Sequence, residues 1–217
     1  MIFKDKKLKT QWQQLNDEME FEWIEGFDGM IQNRKFKQMA MMQVGEKEFN
    51  NLEKMLKNPL VGMLADFLDV YGLIGFYNNF EFSIFPGSEV SNTSDHSRKI
   101  YNVHIGLFFT KKYPFTFDIK KKGFFKKLFK RFFKNSINFP SHSDLGNTID
   151  ISSDDKASIE VFISDSKRLE ALSKLYLESD DFVIDNMGIR FKTNAKILPK
   201  SELLPIMNAM IEFSTHF

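Results

Sequence analysis

The sequence predicts an α+β fold, an antiparallel sheet with N-terminal, intervening and C-terminal helices. Three observations predict it. Apolar residues recur at helical spacing near both ends of the chain, they alternate with polar ones at period two through the middle, and a turn containing Asn and Gly joins two short alternating runs late in the chain. The length of 217 residues suits a single α+β domain over 1-217; a subdivision would fall between a helical part, 1-75, and a sheet-containing part, 76-217.

Residues 6 to 24 place Leu8, Trp12, Leu15 and Met19 on one helical stripe. Residues 25 to 45 fit helix or strand equally. A helix from Glu46 should stop at Asn58, because the residue before Pro59 is pushed out of the α region. The apolar run from Pro59 to Tyr77 approaches membrane-spanning length. It carries Asp66, Asp69 and glycines at 62, 72 and 75, and so reads as a buried helix and turn rather than a span.

Beyond Gly72 the period changes to two. Phe80, Phe82 and Ile84 predict one strand, Tyr101 to Phe109 a second and Phe115 to Ile119 a third, paired as hairpins, with an exposed polar loop from Gly87 to Lys99. Thr148 to Ser152 and Ile159 to Ile163 read as short strands, and Arg168 to Leu177 as a helix. Phe182 to Phe191 reads as a hairpin turning at Asn186 and Gly188. A closing helix begins near Ser201, with Leu203, Met207, Met210 and Ile211 inward.

The segments FFKKLFKRFFKN, DLGNTIDISSDD, RLEALSKL and FVIDNMGI together resemble a group of uncharacterised bacterial proteins, in which a basic amphipathic segment precedes short strands, a helix and a hairpin. The resemblance covers about half the chain. It implies a bacterial cytoplasmic protein and no activity.

Composition excludes several chemistries. With no cysteine there is no disulfide scaffold, zinc–thiolate site, iron–sulfur cluster or thiol nucleophile. The histidines at 96, 104, 142 and 216 lack the spacing that would bring two to one helix face, so no metal site is predicted; His104 reads as a surface residue. Ser141-His142-Ser143-Asp144 has the letters of a nucleophile triad, but neighbouring side chains diverge and a polar loop explains it. Asp154-Asp155 and Asp180-Asp181 read as caps and turns. Gly26-x-x-Gly29 and Gly72-x-x-Gly75 lack a phosphate-cradle context, so no cofactor is predicted and no catalytic residue is assigned.

One segment has a sharp signature. The formal net charge is +1, from 30 Lys+Arg and 29 Asp+Glu, yet residues 120 to 134 hold eight cations and no acid, leaving the rest of the chain net acidic. Within it, helical spacing puts Phe124, Phe125, Leu128, Phe129, Phe132 and Phe133 on one face and Lys126, Lys127, Lys130, Arg131 and Lys134 on the other. An aromatic face backed by lysines suits burial at a lipid headgroup boundary with attraction to anionic lipid, or an acidic protein partner. It also suits plain packing of the phenylalanines on a sheet, or pairing with the acidic stretch Asp17 to Asp28. Nucleic acid is disfavoured, because stacking needs exposed rings and these all share the face that folding would hide.

The sequence is therefore read as a cytoplasmic, non-enzymatic interaction protein whose basic helix contacts either an anionic membrane surface, which would make it membrane-peripheral, or an acidic partner. A hydrolase with a site near His142 and a purely structural oligomeric module are the competing readings.

Overall fold

The computed structural model describes residues 2–3, 5–26, 29, 33, 37, 47, 50–51, 54, 68–69, 71–93, 96–109, 113–121 and 148–215. The fold is α+β, with antiparallel strands and N-terminal, intervening and C-terminal helices. It comprises two compact units, Met1–Gly106 with Asn194–Lys200, and Leu107–Thr193 with Ser201–Phe217.

In the first unit, helix α1 (Lys6–Met19) starts where Asp5 Oδ1 accepts from the Leu8 N–H at 3.0 Å. It stops where Glu20 turns left-handed at φ 57° and donates to the Asn16 carbonyl. Its stripe of Leu8, Trp12, Leu15 and Met19 is buried, as the spacing predicts. The helix is shorter than the predicted 6 to 24, because after the Glu20 reversal the chain enters strand β2 (Glu22–Glu25). A short strand pair, β1 (Ile2–Phe3) and β3 (Leu68–Asp69), lies in a separate two-stranded sheet.

Strand β2 pairs with β4 (Tyr71–Tyr77), β4 with β5 (Phe80–Thr93), and β6 (His96–Phe108) follows β5 in the sheet order. Trp12 meets Tyr71 edge-on with centroids 5.9 Å apart, and Trp23 of β2 stacks on the same ring at 5.2 Å, so one aromatic joins helix and sheet. Asn78 and Asn79, at φ 50° and 65°, make the tight β4–β5 turn whose handedness matches strand twist.

Two predictions fail here. The segment from Pro59 to Tyr77 does not end as helix and turn, since residues 68–69 and 71–77 are strands. Tyr71 to Ile74 are buried on both sheet faces, which removes the alternation that marks a half-buried strand and leaves a continuous apolar run. The predicted loop from Gly87 to Lys99 is mostly the far half of β5 and the start of β6, where ladder pairing carries a polar sequence that has no pattern of its own.

In the second unit, β7 (Phe117–Lys121) lies between β8 (Ile149–Ser153) and β9 (Asp181–Asp185), and β9 forms a hairpin with β10 (Gly188–Thr193), as predicted. The expectation that the third strand pairs with the second is corrected, because β7 finds both its partners later in the chain. A Cβ on Gly188 would lie 2.1 Å from the Leu107 carbonyl oxygen, so only glycine fits that close approach.

Helix α2 (Lys156–Ile163) replaces the strand predicted at Ile159 to Ile163. Its β-branched residues favour a strand, but Asp155 caps the helix by accepting from the Ser158 N–H at 3.0 Å, and Ile159, Phe162 and Ile163 bury on one side. Helix α3 (Ser166–Glu178) is capped by Asp165, and α4 (Lys200–Thr215) closes the chain with Leu203, Met207 and Met210 buried and Ile211 partly so.

Candidate functional site

The basic segment is entered from β7 and left into β8. These strands are antiparallel neighbours, with Lys121 directly opposite Ile149. A hairpin in that register needs a connection of about two to five residues. Residues 122–148 instead join them, far more chain than the sheet requires. Lys126, Lys127, Lys130, Arg131 and Lys134, and likewise His142, Ser143 and Asp144, lie outside the described residues.

Two of the eight cations of residues 120 to 134 lie at the end of β7 and serve the fold. Lys120 pairs with Asp118 at 2.8 Å, and that hydrogen bond holds its ammonium above the ordinary lysine pKa. Lys121 donates to the carbonyls of Tyr176 and Ser179 at 3.1 and 2.5 Å, and its ammonium sits 4.5 Å from the centre of the Tyr176 ring. Six cations remain from Lys122 to Lys134, interleaved with the phenylalanines.

The acids at the end of β8 are structural, as predicted. Asp154 accepts from the Thr116 N–H at 2.8 Å, Ser153 Oγ donates to the Thr116 carbonyl at 2.7 Å, and Asp155 caps α2. Hydrogen bonds from Thr116 and Ser158 hold the two carboxyls below their ordinary values. Gly72 and Gly75 serve packing. Cβ atoms there would fall 2.1 Å from the Phe85 ring and 2.3 Å from the Phe21 ring, respectively.

Two polar groups that the sequence reading missed are buried. Arg168, 4% exposed, opens α3 and reaches the carbonyl ends of two helices, donating from Nη1 to Phe162 at 2.5 Å and from Nε to Phe213 at 3.2 Å. Its guanidinium lies 3.8 Å from the Phe162 ring centre, within an aromatic cluster that includes Tyr113, Phe115 and Phe117. Burial lowers the Arg168 pKa and raises that of the Tyr113 hydroxyl. A signal was present in composition, for the chain uses arginine at only five positions against 25 lysines, and buried planar donation is where the two differ.

The second is Asn102, 1% exposed, whose Oδ1 lies 3.1 Å from His104 Nε2. His104, predicted at the surface, is partly exposed, and a Cβ on Gly87 would fall 2.2 Å from Asn102 Oδ1 and 2.6 Å from His104 Nε2. Among the described residues, no group of three or more His, Asp or Glu could hold a metal. Nor is any helix among them long and apolar enough to cross a membrane.

Of the acidic stretch, Asp28 lies outside the described residues and the other acids belong to the first unit. Asp17, Glu18, Glu20 and Glu22 are exposed, while Glu25 accepts from Lys9 and, at 3.0 Å, from Trp23 Nε1.

No family model matches the chain, and no curated protein does. A solved structure, the crystal structure of the mycobacterial trehalose monomycolate transport factor A, TtfA, is similar over 97% of this chain and 94% of that one, with a TM-score of 0.49 and 10% sequence identity.

Proposed function

We propose that this chain is a non-enzymatic, membrane-peripheral interaction protein that holds an anionic lipid surface through Lys126, Lys127, Lys130, Arg131 and Lys134. The observation that supports it is the place of the segment. It interrupts two directly paired strands where a short turn would complete the sheet, so the extra chain has no evident task in joining them. Its composition supports the lipid reading, because six cations without an acid attract anionic headgroups while Phe124, Phe125, Phe129, Phe132 and Phe133 supply apolar area at the headgroup boundary. The cytoplasmic leaflet is the anionic surface such a segment would meet.

Co-sedimentation tests this. Wild type should pellet with vesicles rich in anionic lipid, less so as salt rises, and not with neutral vesicles. The variant carrying Lys126→Glu, Lys127→Glu, Lys130→Glu and Arg131→Glu, checked for folding, should stay in the supernatant. Equal pelleting of the two proteins, or no binding by wild type at any salt concentration, sinks the lipid reading. The latter outcome would turn the search to an acidic protein partner.

A further inference from the structure

We draw no further inference here: the strongest candidate, the buried polar cluster of Asn102 and His104 beneath Gly87 in the sheet of the first unit, carries nothing because no described residue shows what covers that face or what would accept from the Asn102 amide.

Discussion

Arg168 shows how one residue can hold an arrangement that no local pattern announces. Its donors meet carbonyls near the C-terminal ends of α2 and α4, where helix dipoles favour a cation and the last carbonyls lack partners within the helix. Replacing it with alanine strands both acceptors in an aromatic cluster, and we expect a loss of roughly 2–4 kcal/mol. The urea midpoint of the folded variant measures this. Lysine should recover less than half, since a single ammonium cannot reach both carbonyls in the guanidinium's geometry; an unchanged midpoint in Arg168→Ala would refute the role. Glu25 makes a smaller, pH-dependent contribution. The hydrogen bond from Lys9 lowers its pKa from 4.5 in the folded state, so its stabilisation is complete above that value and fades as pH falls through the lower folded value. The Glu25 side chain is half exposed, which limits the effect to about 0.5 kcal/mol. Glu25→Gln should therefore be slightly less stable than wild type at pH 7 and indistinguishable from it at pH 2. A difference that persists at pH 2 would show that the carboxylate charge is not the cause.

Local signals governed some elements and were overruled in others. Asp5, the stripe from Leu8 to Met19 and the turn at Asn186 and Met187 ahead of Gly188 each specify their element within a few residues, and the structure forms all three. The β4–β5 turn is equally local. Because Asn78 and Asn79 are exposed and left-handed, Asn79→Val should cost about 1–2 kcal/mol through the backbone alone, read as a shift in thermal midpoint, whereas Asn79→Gly should cost nothing. Equal midpoints for the Val and Gly variants would exclude that explanation. At β4 and α2 local reasoning fails for opposite reasons. A strand buried on both faces loses its alternation, and a β-branched run becomes helical once a cap and a buried face favour it.

On our proposal, the long connection between β7 and β8 makes the contact while the strands it joins belong to the fold of the second unit. Replacing residues 122–148 with a two-residue Asn-Gly turn should preserve far-UV circular dichroism per residue of the remaining elements and a cooperative thermal transition. It should also abolish sedimentation with anionic vesicles. Loss of the cooperative transition would mean instead that the phenylalanine face belongs to the core. Of the candidate site, the sequence made the charge segregation and the aromatic spacing legible, since both are properties of neighbours in the chain. It did not reveal that Lys120 and Lys121 are already engaged. Their partners include Asp118, two residues away, but also Tyr176 and Ser179, which lie more than fifty residues further along.

By itself the sequence determined the fold class, helices α1, α3 and α4, the final hairpin and the segregation of cations into one stretch. Tertiary structure decided which strands pair, that β7 takes β8 and β9 as neighbours, and that Arg168 and Asn102 are buried. The physical reason is range. Capping and helical spacing act within a few residues, whereas strand partnership and burial are set by contacts between distant residues, whose combined free energy exceeds the small local preferences they override.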